Sequence, residues 1–199
     1  MSETFIATRS LPVGSKGHHA SGWWGMLALI MTESSLFAYL FFSYFYLASH
    51  SLGQWPPNGP PDLAIAAPGT LILIAGSVAM WWGERGIERG KPVRLMTGLV
   101  AALLLGLSFI VLELKEWKGQ PFMLSTNVYS SLYFTITGFH LLHVVVGMFM
   151  LAALLLWASL GYFDASRHSA VSIGGIYWHF VTAVWLAVVF TIYVTPRLS

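Results

Sequence analysis

Five long apolar runs, Trp23–Ala48, Leu63–Trp82, Val93–Leu112, Tyr129–Trp157 and Gly174–Val194, set the limits on what this chain of 199 residues can fold into. About 20 apolar residues carry a helix across the hydrocarbon core of a bilayer, and every run meets that length. Inside lipid no water satisfies an open N–H or C=O, so each run must close its own backbone hydrogen bonds. The fold class that follows is an all-α integral membrane protein, a bundle of five transmembrane helices. Composition agrees: 56% of the residues are hydrophobic and 9% charged, against about 25% charged in a soluble domain. Pro68 falls within the first turn or so of the second run, where a missing N–H is tolerated, and Pro196 just past the end of the fifth.

Residues 1–21 are polar and rich in Gly and Ser. They read as an uncleaved cytoplasmic segment, because the first apolar run is longer than the roughly 7–15 residues of a secretory signal. Residues 22–199 form the membrane domain, without a soluble domain, a long linker or a clear repeat. Lys and Arg number seven on the side of the N-terminus (Arg9, Lys16, Arg85, Arg89, Lys91, Arg94, Arg167) and three on the other (Lys115, Lys118, Arg197). That bias places the N-terminus in the cytoplasm and the C-terminus outside. Trp23, Trp24, Trp81, Trp82, Trp157 and Trp178 then fall near one interface as an aromatic belt, and Trp185 does not. The outer connection Ser49–Asp62 contains Trp55-Pro56-Pro57-Asn58-Gly59-Pro60-Pro61, a stiff extended loop. Glycines 69, 76 and 83 share one stripe of the second helix, and Gly98, Ala102 and Gly106 form a small-residue ladder on the third, so these two helices are expected to pack closely.

A net charge of +2 with scattered basic residues leaves no electrostatic footprint for nucleic acid. The absence of cysteine excludes disulfides, thiolate nucleophiles, Fe–S clusters and zinc–thiolate sites. Gly-rich phosphate loops, GxSxG and HExxH are also missing, so the chain carries no motif of an independent catalyst.

The informative residues are ionisable groups inside the apolar runs. A charge at the bilayer centre costs roughly 2.5–3.5 kcal/mol on insertion scales, so such groups tend to face inward and to mark a partner, a proton path or a ligand. Glu33 lies about 15 Å from the inner end of the first helix and His140 about 16 Å from the outer end of the fourth, with His143 one turn further on the same face. All three reach midplane depth and are expected to pair there. A plainer reading has Glu33 bonded to a carbonyl, Ser34 or Ser35 and the histidines cross-linking helices. His143 and His179 could instead ligate a b-type haem, or the acid and two histidines a lone metal, although no second shell is visible. A proton-coupled transporter built on Glu33 is a further class, but the chain shows no inverted repeat and a single clearly deep acid.

Glu113, Lys115, Glu116 and Lys118 end the third helix and read as a solvated helix end, Glu113 being the deepest. Glu84-Arg85-Gly86-Ile87-Glu88-Arg89 reads as a solvated inner loop near lipid heads.

Taken together, Trp24-Gly25-Met26 leading to Glu33, then Trp55-Pro56-Pro57, Glu113-x-x-Glu116-Trp117, Gln120-Pro121-Phe122, Gly138-Phe139-His140-Leu141-Leu142-His143 and Tyr177-Trp178-His179-Phe180-Val181 resemble haem–copper oxidase subunit III over nearly the whole chain. The length looks like the short five-helix bacterial form. The resemblance implies an accessory subunit in the bacterial cytoplasmic membrane, flanking catalytic subunit I and the other oxidase subunits. Haem and copper would lie in those partners, with no cofactor in this chain and phospholipid in a cleft. It also implies that the acid matching Glu33 is the carbodiimide-reactive one, and that the subunit sustains proton uptake and oxygen access in its neighbour. The lipid- or proton-related positions are then Glu33, His140, His143, His179 and Glu113, followed by Glu116, Trp24 and Trp178. Thr182 stands where the family commonly has Asp, Glu113 where Gln is common and Ser130 where Gly is common. These departures leave open related proteins associated with nitric oxide reductases, or a quinol oxidase subunit.

Overall fold

The computed structural model describes residues 21–57 and 59–198. The expected polar N-terminal segment lies, apart from Ser21, outside the described residues. Five helices follow: α1 Ser21–Ser49, α2 Leu63–Glu88, α3 Pro92–Gly119, α4 Val128–Ser159 and α5 Ser169–Val189. All five are long and apolar enough to cross a membrane. The last passes into a π-helical turn, Phe190–Val194, and a 3-10 turn, Thr195–Arg197, where Pro196 ends it. Asp62 caps α2 by accepting from the Ala64 N–H at 3.1 Å. Asn127 and Ser130 form a reciprocal capping box on α4, at 2.8 and 2.9 Å. Ser130 therefore fixes a helix start.

α5 is the most buried span and α1 the least. α5 packs against α1, α2 and α4, while α1 touches α4 and α5 and leaves a groove beside α4. The α2–α3 interface is the most extensive, as the glycine stripes predict. A Cβ on Gly98 would stand 2.7 Å from the Ala79 carbonyl oxygen and 2.8 Å from Gly83 Cα. Gly98→Ala must push two backbones apart, with an expected loss of about 1–3 kcal/mol, the usual cost of overpacking. A fall in the unfolding midpoint of the detergent-solubilised protein checks this.

Two expectations are corrected. The segment Glu84–Glu88 belongs to the last two turns of α2 rather than to a loop. The turn is only Arg89–Lys91, made possible by Gly90 at φ +69°, and the polar heads reach water from the helix itself. There Arg85 pairs with Glu88 at 3.4 Å. Trp178, expected in the belt, is 1% exposed. α5 starts five residues before its apolar run, which places Trp178 about 14 Å deep. Its indole fits where Gly76, Gly106 and Gly147 remove side chains from three neighbouring helices, with positions for a Cβ 3.6, 2.9 and 2.9 Å away. Trp24, Trp81 and Trp82 remain at the exposed surface.

Between α4 and α5 the Asp164 carboxylate accepts from the Ser166 hydroxyl at 2.6 Å, the Ser166 and Arg167 N–H groups at 2.8 Å, and Arg167 Nε at 3.2 Å. The Ser166 hydroxyl bond, with the backbone and Arg167 bonds, holds the carboxyl down to about 2. A depressed folded value means that the turn is fully supported above the ordinary carboxylate range and loses that support as pH falls towards 2. The carboxyl carbon resonance of Asp164 is expected to titrate near that pH.

Candidate functional site

Glu33 and His143 lie about midway along α1 and α4, and His143 Nε2 is 2.9 Å from Glu33 Oε2. His143 Nδ1 is 2.6 Å from the Phe139 carbonyl. A carbonyl only accepts, so Nδ1 carries a proton and Nε2 faces the acid. The Nε2···Oε2 contact then holds one shared proton, written either as carboxylic acid with imidazole or as carboxylate with imidazolium. Phe37 packs edge-on to the imidazole at 5.1 Å and the Tyr177 hydroxyl donates to the His143 carbonyl at 3.3 Å, so three helices position the pair. The Glu33 and His143 side chains are 27% and 11% exposed. The pair therefore opens to a groove of about 430 Å³ between α1 and α4, walled mainly by Leu29, Leu36, Leu142, Val146 and Met150.

His140 is fully buried and does not join that pair. Its Nε2 donates to the Val181 carbonyl at 3.1 Å, and its ring lies between Phe109 and Trp185. His179 bonds instead to the Ser77 hydroxyl of α2 at 2.5 Å. Tyr177 reaches His143, and His179, two residues on, projects from the other side of α5 because two residues rotate a helix by about 200°. The three histidines thus serve three different contacts. Thr182 is buried and donates to the Trp178 carbonyl within its own helix at 3.1 Å.

The end of α3 is not solvated as expected. Glu113 and Glu116 are 2% and 5% exposed, while Lys115 and Lys118 between and beyond them are exposed. Spacing explains the split: residues three apart share the inward face, and the lysines fall on the outer one. Glu116 Oε1 accepts from the hydroxyls of Tyr133, at 3.2 Å, and Tyr193. Gln120 donates to Tyr133 at 3.1 Å. Sequence reading passed over Tyr133, Tyr193 and Ser77, and met Gln120 only as part of a motif. Depth was the available signal, since each tyrosine lies in a span end level with Glu116. Among the described residues no group of three or more His, Asp or Glu is arranged to hold a metal ion.

Comparison with known proteins gives one consistent match. Residues 13–196 match the family described as cytochrome c oxidase subunit III. Cytochrome c oxidase subunit 3 of Mus musculus is 32% identical over 177 residues, covering 85% of this chain and 68% of the relative. The protein of that name from Synechocystis sp. is 32% identical over 186 residues, covering 90% and 78%. That of Lumbricus terrestris is 32% identical over 189 residues, covering 89% and 73%.

Proposed function

As this chain belongs to the cytochrome c oxidase subunit III family, we propose that it acts as a non-catalytic membrane brace and lipid site beside the subunit that reduces oxygen. It is an accessory subunit of a terminal oxidase complex, and its five spans make it a multi-pass membrane protein. In this reading it lies in a bacterial cytoplasmic membrane with its N-terminus inside, next to subunit I, which carries the haems and copper.

Among the described residues, His140, His143 and His179 are not arranged to hold a redox metal. His143 has both ring nitrogens engaged, His140 is closed in by Phe109, Trp185 and a carbonyl, and His179 bonds on another side of α5. Binding haem between His143 and His179 would need the Glu33 bond broken and a helix turned.

The observation that carries the reading is the Glu33–His143 bond at the opening of an apolar groove. Its walls suit an acyl chain, and its polar spot suits a proton or the glycerol region of a phospholipid. The bond also ties α1, the least buried span, to α4. The proton between Oε2 and Nε2 can sit on either atom without a change in the charge of the pair.

Deleting the chain from the complex is expected to leave haem reduction in the remaining subunits largely intact, while oxygen-uptake turnover or complex lifetime falls. Haem spectra and oxygen consumption of the purified complex read both. Loss of haem from a still-assembled complex would overturn the accessory role.

A further inference from the structure

Three buried side chains meet where the end of α3, the start of α4 and the π-helical turn after α5 come together. Tyr133 and Tyr193, both fully buried, donate their hydroxyls to one oxygen of Glu116, Tyr133 at 3.2 Å. Their own oxygens stand 3.3 Å apart, and Gln120 donates to the Tyr133 oxygen at 3.1 Å, which keeps the Tyr133 proton turned towards the acid. Two O–H donors on a single oxygen match a carboxylate, which only accepts. The bracing and lipid roles above use none of these groups.

A line of oxidisable rings joins this cluster to the connection between α1 and α2. The Tyr133 ring is 6.4 Å from that of Tyr129, and Tyr129 is 5.4 Å from Trp55, which is half-buried in that connection. Tyr44 flanks the line, 6.3 Å from Tyr129 and 5.6 Å from Trp55. The hydroxyls of Tyr44 and Tyr129 and the Trp55 Nε1 are buried and have no hydrogen-bond partner. That contrast sets where an electron hole comes to rest. A phenol that loses an electron becomes a very strong acid and is stable only when its proton has an acceptor. At Tyr44 and Tyr129 there is none, whereas at Tyr133 and Tyr193 the proton moves along an existing bond to Glu116. A hole on Trp55 is therefore passed inward rather than held.

We propose that Glu116, Tyr133 and Tyr193 form a redox-active tyrosine centre that traps one-electron oxidising equivalents entering through Trp55. The oxidants that fit are hydroxyl and peroxyl radicals, the class that incompletely reduced oxygen generates. In the trapping step the radical takes one electron and becomes hydroxide or a hydroperoxide anion. The O–H proton of Tyr133 or Tyr193 passes to Glu116, leaving a neutral phenoxyl radical beside a carboxylic acid. In the return step a soluble one-electron reductant such as ascorbate supplies the electron, the proton moves back to the phenol oxygen, and the carboxylate is restored. The centre draws oxidising equivalents away from the surrounding acyl chains. The inference rests on the oxidase reading for its source of oxidant and is independent of the Glu33 groove.

The test is freeze-quench electron paramagnetic resonance of the detergent-solubilised full chain after flash oxidation by a water-soluble ruthenium complex. Tyr39, Tyr46 and Tyr162 are replaced by Phe throughout, because their rings are exposed or half-buried and open to direct oxidation. A persistent tyrosyl signal, narrowed by ring-deuterated tyrosine, is expected. Glu116→Gln and the double variant Tyr133→Phe/Tyr193→Phe are each expected to cut it by about tenfold or more, the equilibrium weight of one charge-assisted hydrogen bond. Trp55→Phe is expected to slow its appearance, and Tyr129→Phe and Glu33→Gln to leave its size unchanged. Should Glu116→Gln not fold, the double variant, which keeps both rings, decides. The signal needs no haem, so its presence or absence is separate from the outcome of deleting the chain from the complex. No persistent tyrosyl radical in the parent, a full signal in the double variant or in folded Glu116→Gln, a signal lost with Tyr129→Phe, or an unchanged rate in Trp55→Phe would overturn the proposal.

Discussion

Trp178→Ala is expected to be the most destabilising single substitution in the bundle, at about 3 kcal/mol or somewhat more, the lower part of the range for large aromatic to alanine changes in cores. The indole is 1% exposed and is held against three helices at once. In a membrane the transfer part of that cost shrinks, because an unpacked helix still faces apolar lipid. The lost packing does not shrink, since glycines 76, 106 and 147 have no side chains with which to close the void. The reverse experiment attacks the same contact: Gly147→Leu places a side chain where a Cβ alone would stand 2.9 Å from Trp178 Cε3. Both variants should lower the unfolding midpoint in detergent and loosen α5 from α4, seen as faster proteolysis of the α4–α5 turn. A Trp178→Ala protein within about 1 kcal/mol of the parent would show that the bundle repacks around the gap.

Trp178 also shows how far the sequence could be read. Five spans were legible because in lipid a long apolar run has a single local solution, and the helices found extend those runs by one to seven residues at most ends. The extensions were not legible. Whether Glu84 or Glu88 continues a helix depends on the turn chemistry at Gly90, and whether Glu116 faces in or out depends on where α4 and α5 lie. A run of E-x-K-E-x-K at a span end has one face for the core and one for solvent, but nothing local says that tyrosines wait on the inner one. Depth was more informative than face. Glu33 and His143 were expected to meet because both sit at midplane, and they are bonded at 2.9 Å. His140 shares that depth and face, yet its Nε2 donates to the Val181 carbonyl of α5 at 3.1 Å, whereas His143 holds the Phe139 carbonyl through Nδ1 and Glu33 through Nε2. Trp178 was misplaced because an aromatic near a run's start reads as interfacial until the true helix start is known.

Substituting Glu33 should separate bracing from proton exchange, the two things its bond to His143 can do. Removing one partner of a buried pair costs about 3–5 kcal/mol, and with the Glu33 side chain 27% exposed a cost of about 1–3 kcal/mol is expected for Glu33→Ala. A double-mutant cycle with His143→Ala should return a coupling of about 1–2 kcal/mol, within the range for residues in direct contact. Glu33→Gln behaves differently on geometric grounds. The amide N–H can donate to His143 Nε2 while Nδ1 keeps donating to Phe139, so the tie between α1 and α4 survives. The amide cannot give up that proton. The expected result is therefore a Glu33→Gln complex with near-parental unfolding behaviour and full haem reduction, but a shorter working lifetime during oxygen turnover. Glu33→Ala should lose both stability and lifetime. Parental lifetime in Glu33→Gln with loss in Glu33→Ala would leave the bond as a mechanical tie alone, and parental behaviour in both would remove Glu33 from the functional site.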